Sequence, residues 1–295
     1  MSKMFKFFIV VIVIFILSVV LTPLVHGLFP FLKFEKIFNR LVMIFAVLSA
    51  VLFVVAPKVR KGGHFLEEKT WHEYGFDFSV PWKKLFCCGF LLGAATVSLM
   101  VLVEVKFGLV PNRGSITPLK IFFWFMRGIM SGVAVGIIEE FFFRGFVYRM
   151  FHRKFNVWVS IILASVFYSL VHFLNNGQIF IPAHPTLGDA VMLLLGYLEP
   201  FAKRPHDILF EAIGLFLFGI ILNLAFVYTR SLFFSIGIHA GVVFLIKFQH
   251  AFVGSAPEVY HPFYGNTPYY DGPFEWLVLI LLGWMVWWFS RRLAR

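Results

Sequence analysis

The sequence predicts an all-α membrane protein, a bundle of about eight transmembrane helices. Of the 295 residues, 60% are hydrophobic and 14% are charged, whereas a soluble domain has about 45–50% apolar and about 25% charged residues. Several apolar stretches reach the roughly 17–25 residues needed to cross a bilayer. These stretches are continuous and do not alternate with a period of two residues, so a membrane β-barrel is excluded.

Eight apolar segments are predicted to span the membrane, and in chain order they are residues 5–22, 38–56, 85–106, 121–150, 157–174, 208–229, 231–249 and 274–290. The first begins with lysines, as a signal peptide does. Its apolar run is long and no small-x-small cleavage site follows, so we expect a retained helix. Prolines are expected in the connections, where a missing N–H does least harm; they are Pro23, Pro57, Pro111 and Pro257.

Three segments follow from these spans. Residues 1–119 hold spans one to three with a charged cytoplasmic loop at 57–84, residues 120–250 hold a core with polar residues, and residues 251–295 hold an outer loop and the last span. Within the core, residues 175–207 are predicted to form a lid or binding element, or a re-entrant or interfacial packing segment. Lys and Arg are more numerous in the segments on the side of the membrane that holds the two termini. We therefore expect both termini in the cytoplasm. Short loops and compact length suggest a prokaryotic inner membrane.

The net charge of +11 is explained by orientation signals in short loops, so we do not expect nucleic-acid binding. The expected partner is the lipid bilayer. Cys87 and Cys88 are adjacent and can form neither a disulfide framework nor a four-ligand zinc site.

Ionisable residues inside the apolar spans mark the candidate site. Glu139 and Glu140 lie within the fourth span, and Arg144 follows Glu140 by four residues on the same helix face. A charge at membrane depth costs roughly 2.5–3.5 kcal/mol even on a lenient scale, so such residues are functional candidates. An ion pair that only neutralises two helix charges is the alternative interpretation.

Two histidines in other spans, His172 and His239, fit the same depth. If spans four and five turn near Asn156, Glu140 and His172 are each 16 residues from the turn, or about 24 Å. His239 lies about 13–14 Å past a turn near Arg230. His239 lies at the same depth as Glu140 and His172 if the hairpin of spans four and five protrudes about 10 Å further into the cytoplasm than that of spans six and seven. Glu and His together can activate water, although they also form proton relays in transporters.

Three motifs follow in order along the chain: Glu-Glu-x-x-x-Arg at 139–144, Phe-x-x-x-His at 168–172 with Tyr168 in place of Phe, and the start of His-x-x-x-Asn/Asp at 239. With these motifs the chain resembles the CPBP intramembrane proteases, which include the CAAX prenyl endopeptidases and bacterial Abi-type proteins. The resemblance covers about residues 120–250. Val243 stands where the family usually has Asn or Asp. Asn223, within about 3 Å of His239 in depth, is the predicted substitute.

The resemblance implies an intramembrane endopeptidase that acts on a membrane-tethered or lipidated peptide or protein. Glu140 would be the general base for water, His172 would orient water or donate a proton, and His239 would stabilise the oxyanion. Glu139 would pair with Arg144 or support a neighbouring group.

Metal dependence stays open, with a slight preference for a metal-independent glutamate mechanism. Zinc held by Glu140, His172 and His239 is the alternative. Two other functions also remain. A catalytically impaired scaffold is suggested by Val243, and a proton-coupled transporter is disfavoured because the two halves lack matching broken helices.

Overall fold

The computed structural model describes residues 3–55, 71–111, 113–114, 116–174, 179–254, 263–265 and 269–293. Across these ranges the chain is nearly all helical and no β-strand forms, which confirms the all-α fold class. Six helices among the described residues are long and apolar enough to cross a membrane: Ile9–Leu28, Trp82–Lys106, Pro118–His152, Ile208–Thr229, Leu232–Ala251 and Pro273–Arg292. The fold is that of a polytopic helical membrane protein.

The helices in chain order are α1 (Lys3–Leu28), α2 (Phe34–Val55), α3 (Trp82–Lys106), α4 (Pro118–Glu140), a π-helix (Phe141–Tyr148), α5 (Arg149–His152), α6 (Val157–Val171), α7 (Leu187–Gly196), α8 (Glu199–Lys203), α9 (Pro205–Thr229), α10 (Leu232–Phe248) and α11 (Pro273–Leu293). Short 3₁₀ helices form at Trp71–Tyr74 and Gln249–Ala251.

The number of full-length spans differs from the prediction of about eight. The predicted spans at 38–56 and 157–174 are helical, as α2 and α6, but neither is among the six. Helix α6 has 15 residues, or about 22 Å, against a hydrocarbon thickness of about 30 Å. Helix α2 begins with charged side chains, Glu35 and Lys36.

One connection also differs from the prediction. Pro23 lies inside α1 instead of after it. Apolar helices tolerate proline where hydroxyl groups bond to nearby backbone, and here Thr22 donates to Ser18 O at 2.6 Å. Residues 175–207 contain the helices α7 and α8. Much of the predicted loop at 57–84 lies outside the described residues.

The chain divides into two compact units. Unit 1 comprises Met1–Lys69 and Leu170–Ile208, and unit 2 comprises Thr70–Ser169 and Leu209–Arg295. In unit 1, α1, α2 and α7 enclose a hydrophobic cluster with Phe38 and Leu193 at its centre. The Tyr197 hydroxyl donates to Asn39 Oδ1 at 2.8 Å at the edge of this cluster.

Unit 2 is built around α10, which lies against α3 and α4 at backbone contact. A Cβ added at Gly93 of α3 would lie 2.1 Å from Ile238 O, and one added at Gly132 of α4 would lie 2.5 Å from Ala240 O. Such small residues let membrane helices approach closely. The contacts hold both neighbours of His239, so they fix the position of that residue relative to α4.

We expect Gly93→Leu to destabilise unit 2 by about 1–3 kcal/mol or more, because the side chain would overlap the α10 backbone. The melting temperature in detergent measures this effect. Gly27→Leu is the matched control, since a Cβ at Gly27 in α1 meets nothing within 4 Å. Equal melting temperatures for both variants would contradict the close α3–α10 contact.

The start of α10 is held by the segment before α3. Leu232 N donates to Gly75 O at 2.8 Å, and Ser231 caps the helix by accepting from Phe233 N at 3.3 Å. Gly75 has φ of +100°, and a Cβ there would lie 2.7 Å from the Phe226 ring. Glycine is therefore required at this close approach.

Candidate active site

The acidic pair lies where an α-helix becomes a π-helix. Helix α4 ends at Glu140 and Phe141–Tyr148 continues the same rod with wider turns. Segments of π-helix occur often at functional sites. The wider turn carries Arg144, which is fully buried and directed back to the end of α4.

Glu140 joins two helices through one oxygen. Its Oε1 accepts a hydrogen bond from Arg144 Nη1 at 2.8 Å and lies 2.8 Å from His239 Nδ1 of α10. Glu140 and Arg144 are 0% exposed and His239 is 4% exposed. Breaking one partner of a buried pair is strongly destabilising, so these three side chains form a tightly constrained group.

Arg144 has further contacts that hold its guanidinium. Its Nη2 donates to Gly219 O of α9 at 3.3 Å. The guanidinium carbon lies 4.8 Å from the ring centroid of Tyr168 and 5.8 Å from that of Phe143. Cations over aromatic faces are attracted by the ring quadrupole. The Tyr that replaces the family's usual Phe therefore packs against the site's arginine.

Glu139 lies on the more accessible side of the group. Its side chain is 29% exposed, and its Oε2 is 3.8 Å from His239 Nε2. This distance is too long for a hydrogen bond and suits a bridging water. The two nitrogens of His239 thus face two different carboxylates.

Aromatic rings restrict the His239 imidazole. Phe218 lies edge-on at 5.6 Å between ring centroids, and Tyr168 lies edge-on at 6.4 Å. Because the carboxylate of Glu140 is held by Arg144, Nδ1 of His239 is the nitrogen that donates to it. The remaining nitrogen, Nε2, is directed to Glu139.

Asn223 takes part in a neighbouring network. Its Nδ2 donates to Ser165 Oγ and to Gly219 O, each at 3.0 Å. These two bonds use both amide hydrogens, so none is left for an oxyanion in this arrangement. Gly219 O also accepts from Arg144, and Asn223 is therefore linked to Arg144 through a shared carbonyl. This geometry favours a positioning role.

His172 lies one residue beyond the end of α6 and its side chain is exposed. It belongs to unit 1, whereas the other candidate residues belong to unit 2. Its role, inferred from the Phe-x-x-x-His motif, stays a prediction. Val243 lies one turn beyond His239 on α10 and is half-buried.

The donors predicted for zinc do not fit it at this position. Glu140 Oε1 and His239 Nδ1 are hydrogen-bonded to each other, and the Arg144 guanidinium lies 2.8 Å from the same oxygen. A dication there would face that positive charge at close range. In the part of the chain that the structure describes, no three His, Cys, Asp or Glu side chains are grouped to hold a metal.

Sequence reasoning missed several contributors, namely Ser165, Phe218 and the Gly219 carbonyl. One weak signal was present. Gly219 and Asn223 are one helical turn apart in α9, and a small residue one turn from a polar one in an apolar helix often marks an interhelical contact.

The central part of the chain matches one known protein family. Residues 121–245 match the family model described as "Type II CAAX prenyl endopeptidase Rce1-like". The chain carries an Rce1-like domain. The match confirms the recognition of the CPBP and CAAX protease family that was based on the three motifs. No curated protein and no solved structure matches the chain.

The Rce1-like domain runs from α4 to α10 and contains every predicted site residue. The match supports a membrane hydrolase of the CAAX protease type. The Rce1-like match and the apolar helices described above together indicate an integral, multi-pass membrane protein.

Proposed function

We propose that the Rce1-like domain hydrolyses a peptide bond in a membrane-tethered, lipid-modified protein or peptide. The observation that carries the proposal is the position of His239 between two carboxylates. Its Nδ1 lies 2.8 Å from Glu140 Oε1, and its Nε2 lies 3.8 Å from Glu139 Oε2. Such a gap between a carboxylate and an imidazole suits an attacking water.

We assign the general base to Glu139 instead of Glu140. Glu140 is fully buried and its Oε1 is shared by Arg144 and His239. Glu139 is the partly exposed acid of the pair. Glu140 then acts as a positioning residue that sets the direction of the His239 ring, much as a buried carboxylate orients a catalytic histidine.

The proposed reaction needs four charged groups. The carboxylates of Glu139 and Glu140 carry the two negative charges. The Arg144 guanidinium and the His239 imidazole, with a hydrogen on each ring nitrogen, carry the two positive charges. Glu139 takes a proton from water, and the water oxygen forms a bond to the scissile carbonyl carbon. The Nε2–H of His239 donates to the oxyanion, a contribution of about 2.7–4 kcal/mol. The C–N bond then breaks and a proton from Glu139 or His239 passes to the leaving nitrogen.

The substrate class and metal independence are part of the proposal. Proteases of the CAAX type act on prenylated proteins in the membrane, so we expect an isoprenoid-modified tail. We propose that the reaction needs no metal, because Arg144 and His239 already occupy Oε1 of Glu140 and the Arg144 guanidinium would repel a dication beside it. His172 keeps the role that its motif implies, to orient water or donate a proton. Asn223 is proposed to position Arg144 through the shared Gly219 carbonyl. The described residues add no observation that favours a scaffold or a transporter.

Cleavage of a membrane-tethered peptide library tests this function. The purified full-length protein in nanodiscs would receive peptides carrying a C-terminal isoprenoid, a matched saturated acyl chain or no lipid, each with and without a zinc chelator. We expect cleavage of the isoprenoid set at an unchanged rate in chelator. Loss of cleavage in chelator would contradict metal independence. Absence of cleavage across the library would favour the scaffold interpretation.

A further inference from the structure

Basic side chains gather in unit 2 where the first half of α4 meets the end of α10. Arg127 lies in α4, Lys247 lies in the last turn of α10, and His250 lies in the 3₁₀ helix that follows. Arg113 lies in the segment before α4, and its backbone is hydrogen-bonded to Phe252, two residues after His250. These four residues form the basic cluster.

The basic cluster is held by specific contacts. The Arg127 guanidinium lies 5.0 Å from the Trp124 ring centroid, and the same indole lies 5.4 Å from the His250 ring. Arg113 N donates to Phe252 O at 2.8 Å. A second backbone bond nearby, from Gly254 N to Pro111 O at 2.8 Å, keeps the Arg113 segment beside the turn that carries His250.

No described carboxylate neutralises this cluster. Among the ion pairs formed by the described residues, none includes Arg113, Arg127 or Lys247. Grouped like charges repel one another and raise the local concentration of anions. Guanidinium groups in particular match the geometry of phosphate oxygens. The charge pattern therefore fits an anion from outside the chain.

An apolar, outward surface adjoins the basic cluster. Large side chains on the same turns of α4 are 36–71% exposed; they are Phe122, Phe123, Met126 and Met130. Trp with Lys or Arg is typical of the boundary between hydrocarbon and headgroups. Arg127 is 13 residues before Glu140, about 20 Å along the helix axis. The cluster is therefore separate from the candidate active site.

We propose that the basic cluster binds the phosphate of an anionic phospholipid whose acyl chains lie on the exposed apolar face of α4. Basic pockets between transmembrane helices bind lipid headgroups in this way. The apolar surface beside the cluster favours a lipid over a soluble anion. This inference does not depend on the proposed hydrolysis.

Lipid retention by the full-length protein tests the proposal. Native mass spectrometry would count bound lipids after incubation with phosphatidylglycerol or phosphatidylcholine, and melting temperatures would be measured with each lipid and with soluble glycerol phosphate. We expect preferential binding of phosphatidylglycerol, weakened about fivefold by each of Arg127→Gln and Lys247→Gln. Lys84→Gln, an exposed lysine in the first turn of α3, is the control and should bind as the wild type does.

Three results would overturn the proposal. Equal binding of phosphatidylcholine would remove the role of headgroup charge. An equal loss with Lys84→Gln would show a diffuse charge effect. Stabilisation by glycerol phosphate as strong as that by the lipid would indicate a soluble-anion site. Two separate cluster variants are used so that misfolding of one does not leave the test without a result.

Discussion

Glu139→Gln is expected to lower peptide cleavage by about 10²–10⁴-fold, because the amide cannot accept the proton of the attacking water. The fold should be unchanged, since Glu139 is 29% exposed and lies outside the buried Glu140–Arg144 pair. Single-turnover cleavage and the melting temperature, measured on the same preparation, separate the two effects. Glu35→Gln, which removes a half-exposed carboxylate in α2, is the matched control.

The comparison with Glu140→Gln distinguishes the two acids. If Glu139→Gln keeps full activity while Glu140→Gln is folded and inactive, Glu140 is the base, as the sequence interpretation had it. If Glu139→Gln is inactive and folded, the assignment made from the geometry stands.

Glu140→Gln is expected to destabilise the protein by about 3–5 kcal/mol, because it leaves the Arg144 guanidinium buried without its carboxylate. The double variant Glu140→Gln with Arg144→Met should regain part of this loss, since paired removal of buried charges is often tolerated. It should remain inactive because His239 has lost the group that orients it. Unfolding by denaturant in detergent measures the differences in stability.

A partly exposed ion pair with the same spacing serves as control. Glu199 and Lys203 also lie four residues apart, and their side chains are 23% and 70% exposed. Surface pairs of this kind contribute little, so Glu199→Gln should leave stability nearly unchanged. Equal effects at Glu140 and Glu199 would contradict the buried arrangement.

Much of the fold follows from local rules that the sequence carries. Long apolar runs predict helices, and the hairpin turns were predicted near the residues where they occur. Asn156 accepts from Val159 N at 3.0 Å at the start of α6, and Arg230 adopts φ of +54° between α9 and α10. The Glu140–Arg144 contact follows from i, i+4 spacing.

The roles proposed for the two acids could not be derived from the sequence, because they depend on how α4 is rotated. That rotation is set by glycine contacts such as Gly132 against the α10 backbone, which periodicity alone does not define. The π-helix after Glu140 was also missed, since such a short π-helical segment leaves no residue pattern. The hydrogen bonds of Asn223 could not be predicted either, and both of its amide hydrogens are used by Ser165 and Gly219.

Oxygen-18 labelling during a single turnover is the most direct test of water attack at the Glu139–His239 pair. The wild-type protein in nanodiscs, with an isoprenoid-modified peptide and chelator in ¹⁸O-water, should release an N-terminal fragment that carries one ¹⁸O in its new carboxyl group. Glu139→Gln should release the labelled fragment about 10²–10⁴-fold more slowly under the same conditions. An unlabelled fragment, or equal labelling by Glu139→Gln, would contradict the proposed mechanism.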